Sequence, residues 1–154
     1  MMTPITIRPA TLIDIPTLEL FEQGVISAER PVADNLRSGD ITYYDLAALI
    51  TSDECQLLVA ETSSKLIASG YIKVKPSPAH HKYTNHGYIG FIYVEPEFRG
   101  QGISQQVIKA LFDWAKQQGI TEVLLDVYND NAPAIKAYEK LGFKKSLVQM
   151  RVEV

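Results

Sequence analysis

The stretch "YIGFIYVEPEFRGQGIS", residues 88–104, constrains the fold more than any other part of the chain. From Tyr88 to Val94 nearly every position is apolar, the pattern of a strand covered on both faces, and Pro96 ends it. Gly100 and Gly102 follow in a polar turn. From Ile103 onward Val107, Ala110, Leu111 and Trp114 fall at helical spacing, until Gly119 offers a C′ stop. A second apolar run, "EVLLDVY" from Glu122 to Tyr128, comes next. Strand, helix and strand in that order make a crossover unit, so two parallel strands are expected here.

The preceding half reads differently. Ile5 and Ile7 alternate with polar neighbours in a half-buried strand that Pro9 stops. A helix follows, with Asp14 at its cap, Pro16 in its first turn, and Leu18, Phe21 and Val25 on one face. Residues 27–40 read mostly as loop, and a second helix fits Thr42 to Ile50. "QLLVAE" and "LIASGYIKVK" flank the polar turn Thr62-Ser63-Ser64-Lys65, a hairpin signal that implies antiparallel pairing. Residues 76–87 read as an exposed loop that holds His80, His81 and His86, all expected to be solvated. After Tyr128 a short helix from Ala132 to Lys140 closes on Leu141-Gly142-Phe143. Val148, Met150 and Val152, alternating with Gln149, Arg151 and Glu153, then predict a last strand. The expected fold class is α/β: a mixed central sheet flanked by helices, in one domain over residues 1–154.

Composition limits the function. The net charge is −3 and the only adjacent basic pair is Lys144-Lys145, which argues against nucleic acid as the main partner. Cys55 is the only cysteine, so neither an intrachain disulfide nor a cysteine zinc cage can form. The longest apolar run is far short of the ~20 residues that span a bilayer. A cytoplasmic protein without membrane or metal partners is therefore expected.

A glycine turn between a strand and a helix leaves unpaired N–H groups at the positive end of the helix dipole, where an anion can sit. Gly100 and Gly102 can take positive φ, letting phosphate oxygens approach the amides of Gln101, Gly102, Ile103 and Ser104, with Arg99 adding a charge. A tight connection using glycine for geometry alone would look the same. The turn lacks the third glycine of a dinucleotide fingerprint and the GK[ST] ending of a P-loop. A second stretch, "NAPAIKAYEKLGF" from Asn131 to Phe143, sets Ala134 and Tyr138 one turn apart behind a capping Asn.

Together these two stretches resemble the GNAT superfamily of N-acetyltransferases. "VEPEFRGQGIS" is similar to that family's acetyl-CoA pyrophosphate motif, Arg/Gln-x-x-Gly-x-Gly/Ala, through Arg99, Gly102 and Ser104. Serine replaces the usual Gly or Ala but is small, and its hydroxyl can donate to phosphate. "NAPAIKAYEKLGF" is similar to the motif that follows, Asn-x-x-Ala-(x)3-Tyr-(x)3-Gly-Phe.

The resemblance implies a cleft where the strand Tyr88 to Val94 splays from Glu122 to Tyr128. It implies acetyl-CoA as co-substrate and an amine acceptor, small molecule or peptide. Main-chain groups of Ile92, Tyr93 and Val94 would bind the pantetheine amides and polarise the thioester carbonyl. Asn131 would bond the pantetheine arm, and Tyr138 would protonate the departing thiolate. The general base stays open between Glu95 and Asp126. The segment holding Glu29, Arg30, Tyr43, Tyr44 and Asp45 would wall the acceptor side. An acyl-CoA-binding module without catalysis, and an interaction domain whose turn binds nothing, are the competing readings. A homodimer stays among the options, because the sequence by itself locates no exposed apolar patch.

Overall fold

The structure, a computed structural model, describes residues 4–154. Five strands form one sheet in sequence order: β1 (Thr6–Pro9), β2 (Cys55–Thr62), β3 (Lys65–Pro76), β4 (Asn85–Val94) and β5 (Val123–Leu125). β1 to β4 are antiparallel neighbours, and β5 joins β4 in parallel. The helices are α1 (Ile15–Glu29), α2 (Leu46–Thr51), α3 (Ile103–Gln117) and α4 (Ala132–Lys140). The mixed sheet, the hairpin and the parallel crossover expected from the sequence are all present.

Two apolar layers cover the sheet. Ile103, Val107, Ile108, Leu111 and Ala115 form the buried face of α3 against Ile67, Ile72 and Ile89. On the other face Leu18 and Phe21 of α1 and Leu46 and Leu49 of α2 pack with Leu57, Val59, Tyr71 and Phe91. Each fully buried side chain of this size contributes roughly 1.5–3 kcal/mol. The β2–β3 hairpin turns through Ser63 and Ser64, both at positive φ, as a two-residue primed turn requires.

Five expectations change. α2 begins at Leu46 instead of Thr42, because Asp45 caps it by accepting from Ala48 N at 3.1 Å, while the amides of Tyr43 and Tyr44 go to Glu22. β5 stops at Leu125 and does not reach Tyr128, since β4 has turned away by then. His86 is buried at the start of β4, its Nδ1 3.0 Å from Ser77 Oγ, so only His80 and His81 are exposed in the loop. Residues 144–154 carry no strand, so the one expected from Val148, Met150 and Val152 is not formed. Asp14 does occupy the cap of α1, but its carboxylate turns back to Thr11 N (2.8 Å) and to Arg8 (2.9 Å) instead of capping the helix.

The candidate active-site cleft

β4 makes the cleft through a defect in its own pairing. Its register with β3 slips between Ser69 and Tyr71, so three steps on β4, from Tyr93 to Gly90, oppose two on β3. Phe91 takes the extra residue at φ +57°, a left-handed conformation that a buried aromatic adopts only at the cost of strain. Parallel pairing with β5 ends at Ile89↔Leu125, immediately before this bulge. Beyond it β4 has no neighbour on the β5 side.

The exposed main chain follows from strand alternation. Glu95 N donates to Ile67 O of β3 at 2.8 Å, so the amide of Val94 points the other way, into the gap, and that of Ile92 does the same two residues earlier. Val94 O accepts from Arg99 Nε at 2.8 Å, which confirms its direction. Tyr93 N–H therefore faces β3, and its ring stacks 4.7 Å from Phe21 beneath the cleft floor. Of the three strand residues singled out from sequence, two offer main-chain groups to the gap and one does not.

Gly100 and Gly102 sit at φ +77° and +75°, and a Cβ added to either would meet nothing within 4 Å. The turn thus needs glycine for its backbone, and the space beside it is open, as a cradle for an anion requires. Gly102 caps α3, whose first ladder bond runs from Gln106 N to Gly102 O, leaving the preceding amides for a ligand. Ile103 anchors the helix start in the core, while Ser104 is half-buried at the rim. Arg99 folds back on β4, its guanidinium 5.7 Å from the Tyr93 ring centroid. Gln101 reaches Glu97 O weakly, at 3.5 Å.

On the opposite wall Asn131 caps α4 by accepting from Ala134 N at 3.3 Å, which leaves its amide hydrogens free to donate. Tyr138 lies one helical turn beyond Ala134, packed edge-on to Phe143 at 6.0 Å between ring centroids. Burial pushes its phenol pKa above the ordinary value, and the negative charge of Glu29 pushes it further.

Glu29, the last residue of α1, is the carboxylate that the cleft organises around. Its field reaches the phenols of Tyr43, Tyr44, Tyr88, Tyr128 and Tyr138. Burial raises its own pKa, and contact with Tyr43 partly offsets that rise. The Tyr43 hydroxyl is buried without a close partner, coupled to Glu29 more loosely than a normal hydrogen bond. A second carboxylate fixes this wall. Glu22, only 3% exposed, accepts from Tyr43 N at 2.6 Å and Tyr44 N at 2.8 Å, holding the loop after α1 against the sheet. Tyr44 then stacks on Phe91 at 4.5 Å, which ties the acceptor wall to the bulge.

The two other carboxylates considered from sequence lie elsewhere. Asp126 accepts the Tyr88 hydroxyl at 2.8 Å, at the foot of the split. Glu95 acts on Tyr93 and not on Tyr138. Glu22 went unnoticed in the sequence, where one acid in a helical face carries no signal of burial. Two surface hollows, one around Pro9, Leu58 and Trp114 and one around Arg8, Asp14 and Glu61, border neither the glycine turn nor Tyr138.

The comparisons agree with this geometry. Over 97% of this chain and 99% of the other, the fold superposes on a tetramutant of the BH1408 protein from Bacillus halodurans with a TM-score of 0.85 at 24% identity. A predicted acetyltransferase from Clostridium acetobutylicum, solved with acetyl-CoA, covers 97% of this chain and 96% of its own at a TM-score of 0.77 and 24% identity. N-alpha-acetyltransferase 30 of Schizosaccharomyces pombe is 39% identical over 64 residues, 42% of this chain and 43% of that protein. Mycothiol acetyltransferase of Thermomonospora curvata is 27% identical across 97% of this chain and 52% of its own length. The chain thus spans about half or less of these curated relatives. A profile of the acetyltransferase (GNAT) family matches residues 25–143, from the middle of α1 to the end of the Leu-Gly-Phe stop. That one match takes in the two parting strands, the glycine turn and the helix that carries Tyr138, and the chain belongs to the acetyltransferase (GNAT) family.

Proposed function

We propose that the protein transfers the acetyl group of acetyl-CoA to a primary amine by direct attack. The observation that carries this reading is the left-handed turn at Gly100 and Gly102 just after the stretch of β4 that carries Ile92 and Val94 beyond its pairing with β5, with Tyr138 packed against the same apolar layer as those two residues. Amides from Gln101 to Ser104 bind the diphosphate, and Asn131 donates to the pantetheine arm. The amides of Ile92 and Val94 stabilise the oxyanion as the nitrogen–carbon bond forms. The carbon–sulfur bond then breaks, and Tyr138, kept protonated by burial, gives its proton to sulfur. Glu29 takes the proton that the amine must lose, directly or through water. Its elevated pKa makes it a stronger base than a surface carboxylate, and its charge favours a cationic acceptor.

The relatives' names point to two kinds of acceptor, an N-alpha amine and mycothiol. A pocket of phenols around one carboxylate suits either. A panel of amines assayed for thiol release from acetyl-CoA tests the proposal and names the acceptor. Acetyl-CoA at ~100 times its dissociation constant should add ~2.7 kcal/mol of stability if it binds only the folded state. Binding without thiol release on any amine would leave an acyl-CoA-binding module; no binding would refute the reading.

A further inference from the structure

β3 carries two lysines where the pattern of its buried face would continue. Ile72 and Val74 turn into the α3 layer, so Tyr71, Lys73 and Lys75 share the opposite face, the one that α1 and α2 cover. That cover stops at Tyr71 and Tyr88; beyond them Lys73 is half-buried and Lys75 exposed. Their charged ends rest on rings. Lys73 Nζ lies 5.5 Å from the centroid of Tyr71 and Lys75 Nζ 4.0 Å from that of Tyr88, the distances of cations held over aromatic faces. Among the described residues neither lysine forms an ion pair. The nearby carboxylate of Asp126 is taken by the Tyr88 hydroxyl at 2.8 Å. Two ammonium groups on one strand face are thus positioned by tyrosines and neutralised by nothing.

Their place relative to the cleft gives them a use. Lys73 pairs across the sheet with Tyr88, and Tyr88 with Leu124 of β5, one rung before the β4–β5 pairing ends. The lysines therefore sit at the foot of the split, on its α1 side. The Tyr88 phenol also lies in the field of Glu29, so a single ring links the lysine end of this floor to its carboxylate end. We infer that Lys73 and Lys75 form an anion subsite for the acceptor, a molecule with its amine at one end and a carboxylate or phosphate at the other. The inference rests on the transferase reading above, in which Glu29 and the amides of Ile92 and Val94 receive the amine end. Charge along the floor runs from negative at α1 to positive at β3, and a dipolar acceptor lies along it with its own charges reversed. Length follows as well. From Tyr88 to Ile92 the strand covers at most about 13 Å, and the flexible lysine stems shorten that span. Amine and anion are then several bonds apart, as in an ω-amino acid or a dipeptide, and not on one carbon as in a free α-amino acid.

The test compares thiol release from acetyl-CoA for ω-amino acids, ω-aminoalkyl phosphates and plain alkylamines of matched length, with calorimetry of the same compounds on the protein loaded with coenzyme A. The anionic compounds should exceed their alkylamine partners at least ~10-fold in kcat/KM, mostly through KM, and the advantage should shrink as salt screens it. The larger gain names the anion, carboxylate or phosphate. Lys73→Met/Lys75→Met keeps apolar stems over the tyrosines and removes both charges, so the ratio should fall towards one. Acetylation of amines with no anion preference, or with one that the double variant retains, overturns the subsite and leaves the transferase reading intact. If no amine is acetylated, yet the anionic compounds bind ~10-fold tighter than alkylamines and only while both lysines are present, the subsite holds and the transferase reading falls. Failure of both readouts refutes the two together.

Discussion

Burial raises the pKa of both the Glu29 carboxylate at the end of α1 and the Tyr138 phenol on α4, and the proposed reaction gives the first the part of proton acceptor and the second that of proton donor. Two substitutions separate these roles. Tyr138→Phe and Glu29→Gln should each lower turnover ~10²–10⁴-fold while acetyl-CoA affinity stays near normal, read by single-turnover kinetics and calorimetry. Only Glu29→Gln should also abolish the acid limb of the pH–rate profile, which lies above the ordinary glutamate range because burial raises that group.

A different pair governs stability at low pH. The Arg8 guanidinium holds the Asp14 carboxyl below its usual range, helped by the Thr11 amide. A depressed acid contributes stability that is present above its unfolded pKa of ~4 and disappears as pH falls through the folded value. Asp14→Asn should cost about 2–3 kcal/mol at pH 7, below the ~3–5 kcal/mol of a fully buried pair because Arg8 stays partly in solvent. Urea melts of the variant should converge with wild type near pH 2.

β4 and α3 together show what a sequence can and cannot reveal about the site. The glycine turn and the face of α3 were legible, because a positive-φ turn and a 3.6-residue period both leave marks in residue type. The bulge was not. Gly90 and Phe91 both look to the α1 face, since a Cβ on Gly90 would lie 2.4 Å from Tyr71 Oη and Phe91 packs in the same layer. Ile92 and Val94 then face α3 and Tyr93 faces α1. Strict alternation fails there, and an all-apolar strand hides the failure. Glu22, and the burial of a Glu29 already placed on the acceptor wall, were hidden for a related reason: burial of an acid depends on what the loop after α1 brings over it.

Gly90→Ala should cost roughly 1–3 kcal/mol by overpacking against Tyr71, measured by chemical denaturation. Gly102→Val should behave otherwise. Its Cβ enters open space, so the penalty is backbone strain of about 1–2 kcal/mol, while acetyl-CoA affinity falls at least tenfold as the cradle fills. Equal affinity in that variant would remove the turn from the binding site.

At the scale of the whole molecule, strength is unevenly distributed. β2, β3 and β4 share long antiparallel registers, whereas β5 is joined to β4 over three residue pairs and no residue of α4 is fully buried. Everything after Leu125 is held by that short seam and by the partly buried contacts of Tyr138, Leu141 and Phe143 with the α3 layer. Native-state hydrogen exchange should find residues 123–143 peeling away at a free energy well below global unfolding. Acetyl-CoA, which would bridge both lips of the split, should raise that opening energy. The three-pair seam makes this corner of the sheet the one expected to open first, so under the proposed reaction product should leave there and bound acetyl-CoA should hold it closed.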